Sequence, residues 1–307
     1  MGSSLDGDAI RLTDVVKRYG DIVAVDHLNL DVPEGICLGL LGPNGAGKST
    51  TMRMLTAQAV PDSGEISVLG FSLPRQAKQA RARMGVVPQL DNLDEELTVR
   101  QNLEVFTHLY RVPKARRAEA VARALAIAQL TDRAGTKTAD LSGGMRRRLL
   151  IARGLVHSPR LVLLDEPTVG LDPQVRQDLW SLISGLRDDG VTTLMSTHYI
   201  EEAERLADEC ALMSRGRVVA RGAPEKLIKE HAGAEVHEHY GPPERLAEIE
   251  AVAHAHGFPT RRTGPSVSLL RAEQLPESLR DRLGPPSISR APTLEDVFVL
   301  LTGETVE

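Results

Sequence analysis

The chain has 307 residues, 41% hydrophobic and 26% charged, with a net charge of −5. That length can bury one large core and a smaller unit, and the negative balance argues against non-specific nucleic-acid binding as the main task. No apolar run approaches the roughly 18 residues of a membrane span, and the two cysteines, Cys37 and Cys210, provide no disulfide framework.

In chain order, residues 1–6 show neither a charged-then-apolar leader nor a convincing lipidation site, because Asp6 stands at the Ser/Thr position. Short alternating runs at 10–12 and 24–32 predict strands of an antiparallel edge sheet. Between them, Lys17-Arg18-Tyr19-Gly20 predicts a turn with Tyr19 exposed. The apolar run 36–41 predicts a buried strand, and residues 50–55 predict the start of a helix. The stretch joining them, Gly42-Pro43-Asn44-Gly45-Ala46-Gly47-Lys48-Ser49, fits the pattern G-x-x-x-x-G-K-[ST] at every fixed position. Small residues there let backbone N–H groups close on phosphate oxygens at a helix N-terminus. Lys48 supplies a cation for the β/γ-phosphates, and Ser49 a hydroxyl for Mg²⁺.

Further along, a turn at 61–64 precedes a short strand at 65–69, a polar helix at 75–83 and a strand at 84–89 ending in Gln89. Helical spacing over 97–130 predicts an insertion between two halves of an α/β core. Asp140-Leu141-Ser142-Gly143-Gly144-Met145 opens a helix through Arg153, and Arg146, Arg147 and Arg148 read equally well as a solvated face. The run Leu161-Val162-Leu163-Leu164-Asp165-Glu166 places two carboxylates at the C-terminal edge of a core strand. There Asp165 can reach Mg²⁺, directly or through water, and Glu166 can polarise an attacking water. A helix at 173–186, a strand at 191–196, a helix at 201–207 and two short strands near 210–220 complete a largely parallel sheet with helices on both faces. Beyond about Pro224 the character changes. Strands at 235–240, 266–271 and near 287–290 and helices at 243–256, 273–283 and 293–302 predict a small α/β appendage. Its His237, His239, His254 and His256 recur at i,i+2 rather than at i,i+4, the spacing that sets two ligands on one helix face, so they read as structural.

The combination resembles the ABC-type ATPase family over residues 10–225. The fold class implied is α/β: a P-loop core with a mostly parallel sheet, an antiparallel edge sheet, a helical subdomain at about 91–145, and an appendage at 226–307 beyond an ATPase domain at 8–225. The family's signature sequence stands here as Leu141-Ser142-Gly143-Gly144-Met145, with Met145 where Gln is usual. The resemblance implies ATP and Mg²⁺ as ligands. Residues 42 and 44–50 (Gly42, Asn44, Gly45, Ala46, Gly47, Lys48, Ser49 and Thr50) would hold the phosphates, and Tyr19 would stack on adenine. Ser49, Gln89 and Asp165 would serve the metal, and Glu166, His198 and Lys48 the chemistry. Ser142, Gly143 and Gly144 would meet the γ-phosphate across a homodimer that sandwiches two ATP, and Asp172 lies in the loop after the carboxylates. Residues 85–94, Met145 with the Arg run, and 292–298 are similar to the daunorubicin-resistance and nodulation-factor exporter ATPases. That implies two separate membrane permease subunits of the ABC-2 type, a place on the cytoplasmic face of the membrane, and outward transport of a hydrophobic or amphipathic compound. The alternative is a non-transport ABC ATPase of repair or translation. The gap between phosphate loop and signature is short and lacks sustained heptads, and the chain carries one cassette, both of which favour the exporter.

Overall fold

Two long strands, β1 (Asp8–Tyr19) and β2 (Ile22–Pro33), pair antiparallel from Ile10 opposite Val32 to Tyr19 opposite Ile22. The computed structural model describes residues 7–304, so the reading of residues 1–6 lies outside the described residues. β1 is much longer than the alternating run at 10–12, whereas β2 extends the run at 24–32 only slightly. Several register shifts bend the pair, and the polar residues between the runs face solvent without breaking the ladder. Tyr19 therefore ends β1, and the turn falls on Gly20 and Asp21.

β3 (Cys37–Leu41) is buried at all five positions, as a strand covered on both faces must be. It feeds α1 (Lys48–Leu55) through the glycine-rich loop. β4 (Ser63–Val68) and the unanticipated β5 (Phe71–Leu73) complete an antiparallel sheet in the order β2-β1-β4-β5. Its inward residues Ile10, Leu12, Leu28 and Leu30 share one core with Leu38 and Leu40 of β3. After α2 (Ala77–Arg81) and β6 (Met84–Val87), the chain builds α3 (Val99–Leu109), α4 (Lys114–Ile127) and α5 (Gly143–Leu155). Thr98 and Gln101 form a reciprocal capping box that starts α3.

β7 (Leu161–Asp165), α6 (Pro173–Asp188), β8 (Thr192–Thr197), α7 (Ile200–Leu206), β9 (Glu209–Ser214) and β10 (Arg217–Gly222) finish the six-stranded sheet, ordered β10-β9-β3-β8-β7-β6. All its neighbours pair parallel except β10 on β9. This order sets β3, β8 and β7 side by side, so the loops at their C-terminal ends converge. Open parallel sheets bind ligands at that edge.

α8 (Pro224–His231), absent from the sequence reading, leads into a third sheet. β11 (Val236–Tyr240), α9 (Pro243–Ala255), β12 (Thr260–Thr263), β13 (Ser266–Leu269), α10 (Glu277–Leu283) and β14 (Ile288–Arg290) form it, in the order β12-β13-β11-β14 with every pair antiparallel. Leu246, Ile249, Leu279 and Leu283 of the two helices pack on Val267 and Leu269 of the sheet.

α11 (Leu294–Thr302) is the last helix of the described residues. Leu294, Val297, Phe298 and Leu301 recur at i, i+3, i+4 and i+7, a spacing that predicts one apolar face buried on the appendage or on a second copy. The ATPase core of the same chain covers much of that face: Leu294, Val297 and Phe298 pack with Ala203 and Ala207 around α7, Leu212 of β9 and Leu227 of α8. Glu204 caps the helix, accepting from Leu294 N at 2.8 Å.

Candidate active site

The three adjacent strand ends deliver the cluster. Lys48, first residue of α1, is buried, and its Nζ donates to Gly42 O at 2.6 Å and Pro43 O at 3.1 Å. It lies 3.6 Å from Glu166 Oε1. Burial lowers the pKa of this ammonium, against the opposing pull of Glu166. Asp165 ends β7 and accepts from Ser196 Oγ at 2.6 Å across the β7–β8 pair. Burial raises its pKa, while that hydrogen bond opposes the rise. Ser49, Gln89 and Asp165 line one cleft of about 300 Å³ beside α1.

Glu166 is 6% exposed and is reached from three sides. Gln89 Nε2 donates to its Oε2 at 2.9 Å, Lys48 faces Oε1, and His198 Nδ1 stands 3.3 Å from Oε1, close but not aligned as a hydrogen bond. Its backbone is at φ 45, a left-handed conformation that costs a non-glycine residue about 1 kcal/mol or more. Surrounding bonds hold it there. Glu166 N donates to Ser196 O and Ser196 Oγ, both at 3.1 Å, and Glu166 O accepts from Arg147.

Arg147 is the residue the sequence left most ambiguous. It is buried, and its guanidinium donates to the carbonyls of Pro88 (2.7 Å), Gln89 (3.1 Å), Asp165 (3.3 Å), Glu166 (3.1 Å) and Pro167 (2.6 Å). One side chain thus joins α5 to the Gln89 loop and to the paired carboxylates. Arg146 does sit near the surface, paired with Asp91 at 2.6 Å and Glu95 at 2.9 Å. Met145 is half-buried and packs against the core of the helical region. Ser196 and Arg147 are site residues that sequence reasoning missed. Ser196 could have been found from its place directly before Thr197 and His198.

Among the described residues, Tyr19, Asp172, Ser142, Gly143 and Gly144 form no hydrogen bond or ion pair with this cluster. Tyr19 is 46% exposed at the end of β1, with Lys17 Nζ 5.3 Å from its ring centroid. Asp172 is the exposed N-cap of α6. Ser142 caps α5, its Oγ accepting from Met145 N at 3.4 Å, and with Gly143 it is exposed. A Cβ on Gly144 would lie 2.6 Å from Val175 Cγ1, so the close approach of α5 and α6 requires glycine there. Asn44 and Gly45 are exposed on the loop, Gly42 and Ala46 are buried, and Gly47 and Thr50 are half-buried.

This arrangement can bind a polyphosphate on the loop, hold a hard cation on oxygen donors beside it, and present a buried carboxylate to a water. Comparison with known proteins agrees. The profile of the family described as ABC transporter matches residues 25–169. The Nod factor export ATP-binding protein I of Burkholderia orbicola is 44% identical over 97% of this chain and 98% of its own. The protein of the same name from Rhizobium meliloti is 43% identical over 97% of this chain and 89% of its own. This chain belongs to the ABC transporter ATP-binding family.

Solved structures concur. One described as the ATP binding subunit of an ABC transporter superposes with a TM-score of 0.67, at 28% identity, over 73% of this chain and 94% of that one. A dimeric bacterial ABC transporter cassette superposes at 0.63, with 30% identity, over 70% and 98%. As an ABC exporter ATPase, the chain binds and hydrolyses ATP. No helix among the described residues is long and apolar enough to cross a membrane.

Proposed function

We propose that this chain powers an ABC-2 type exporter in which two copies work against two separate permease subunits on the cytoplasmic face of the membrane. The cargo is a hydrophobic or amphipathic compound. The relatives, named for Nod factor export, support outward transport. The observation that carries the catalytic reading is the buried Glu166 carboxylate, held between Lys48, Gln89 and His198.

In this reading, residues 42 and 44–50 hold the phosphates of ATP and Tyr19 stacks on the adenine. Glu166 accepts a proton from the attacking water, and His198 keeps it in register with the γ-phosphate. The donor set of Ser49 hydroxyl, Asp165 carboxylate and Gln89 carboxamide is all oxygen, which fits Mg²⁺. When bound, the ion would neutralise charge on the phosphates. Ser142, Gly143 and Gly144 of the other copy supply donors at the exposed start of α5. A closed dimer then binds ATP better than an open one, and that difference drives closure. A structure described as a dimeric post-hydrolysis state with ADP and Pi supports such a cycle for a 29% identical cassette. The division into an ATPase domain at 8–225, with a helical subdomain at about 91–145, and a regulatory, dimer-stabilising unit at 226–307 belongs to the same proposal.

The helical region should receive the permease. Cysteines introduced at the exposed Glu96 and Arg100 can be cross-linked in membranes, because the native Cys37 and Cys210 are buried and burial pushes both thiols up to about 12. Adducts with a polytopic membrane subunit are expected. Adducts only with ribosomal or DNA-bound proteins would overturn the transport reading.

A further inference from the structure

The end of α11 returns to the phosphate loop. Gly303, at φ +70, terminates the helix, and Glu304 N donates to Thr302 Oγ1 at 3.0 Å, which fixes the bend that follows. Gly303, Glu304 and Arg215 line a cleft of about 520 Å³ together with residues 43–46 of the phosphate loop.

The Glu304 carboxylate grips the turn between β9 and β10. Its Oε2 accepts from Ser214 Oγ at 2.9 Å, and its Oε1 accepts from Arg215 Nε at 3.0 Å. That turn is the backing of the phosphate loop. Gly216 N donates to Ala46 O at 2.9 Å, and Gly216 O accepts from Asp26 N at 3.0 Å. A Cβ on Gly42 would lie only 2.2 Å from Met213 O, so loop and strand meet without slack. A shift of residues 213–216 must therefore move the loop or break these contacts. At its other end α11 is anchored by Glu204 and by Asp296, a fully buried carboxylate shared by Arg261 and Arg290.

We propose that Glu304 is a positioning residue for the ATPase. By holding Ser214 and Arg215 it fixes the turn against the phosphate loop, so that affinity for ATP depends on the docking of α11. The contact lies behind the phosphate loop and is not aimed at the reacting atoms, so it serves ground state and transition state alike. Its signature is a change in KM rather than kcat. The inference rests on the phosphate loop being the ATP site.

The test is steady-state ATP hydrolysis by the full chain and by its Glu304→Ala, Arg215→Ala and doubly substituted forms. Equilibrium binding of labelled ATP is measured alongside. Arg215 is largely exposed, so the effect is moderate: Glu304→Ala should raise KM and the ATP dissociation constant by about 3- to 10-fold and leave kcat within about twofold. The double variant should be no worse than the worse single one, because both remove one contact. Glu304→Gln, which keeps the length and one acceptor oxygen, should recover part of the affinity. Unchanged affinity in Glu304→Ala, or a fall in kcat at constant KM, would overturn the proposal while leaving the ATP site in place. An unaltered chain that binds no ATP would overturn the reading of the site itself.

Discussion

In the proposed mechanism Glu166 concentrates the chemistry, and the other residues of the cluster act through it. Glu166→Gln keeps the shape and the bond from Gln89 but cannot accept a proton. Turnover should fall by at least about 100-fold with ATP binding retained, which single-turnover hydrolysis against equilibrium binding will show. Arg147 acts from beneath. Replacing it by Ala strips the donor from five carbonyls in a buried setting, so urea unfolding should show a loss of at least about 3 kcal/mol. Arg147→Lys should recover only part of this loss, since an ammonium has fewer donors and no planar fork. The paired carboxylates and the phosphate loop were legible because their residue types follow from phosphate and metal chemistry at fixed spacing. Arg147 was not legible. Within three consecutive arginines, neither periodicity nor charge tells which one faces inward; only the position of the Gln89 loop decides it. Glu202 was hidden for the same reason: it is fully buried and accepts from Thr168 and Trp180, partners distant in sequence.

Among the elements, the buried strands and helical stretches were readable from apolar runs and 3.6-residue spacing. β12, with its polar sequence Thr-Arg-Arg-Thr, was not, because pairing with β13 and burial of Arg261 against Asp296 make it a strand. α8 is not legible either, because Pro224, where the character of the sequence changes, is its first helical residue and not a boundary. The helical region carries a pH-dependent joint. Tyr110, at the end of α3, stacks on His157, between α5 and β7, with centroids 3.6 Å apart and planes 3° from parallel. Burial pushes the imidazole down to about 4. The unfolded chain takes up this proton near pH 6.5, and the folded chain only near 4. The folded-state pKa is depressed, so the stability is fully present above the unfolded value and is lost as pH falls through the interval. The loss amounts to about 3 kcal/mol at most. His157→Phe keeps an aromatic ring against Tyr110 without the titration. Urea midpoints at pH 7 and pH 5 should therefore differ less in the variant than in the unaltered chain. Equal pH dependence in the two would refute this account of His157.

At the scale of the whole molecule, the proposed site divides one chain into two half-sites. The phosphate loop with Glu166 lies at the edge of the central sheet, while Ser142 and Gly143 stand exposed at the start of α5, unbonded to that cluster. The third sheet and α11 are docked through Glu204 and the Leu294, Val297 and Phe298 face, which binds the C-terminal unit to the ATPase core. The sequence exposed the apolar face of α11 but not its destination, because amphipathicity shows that a face is buried and not what covers it. The central claim is that ATP joins the phosphate loop of one copy to the signature residues of the other. Sedimentation velocity of the Glu166→Gln chain, with and without ATP, tests it most directly. The account predicts monomers without nucleotide, dimers with ATP, and a return to monomers when Ser142→Arg is added to the same chain. A sedimentation coefficient indifferent to ATP, or a dimer that survives Ser142→Arg, would contradict it.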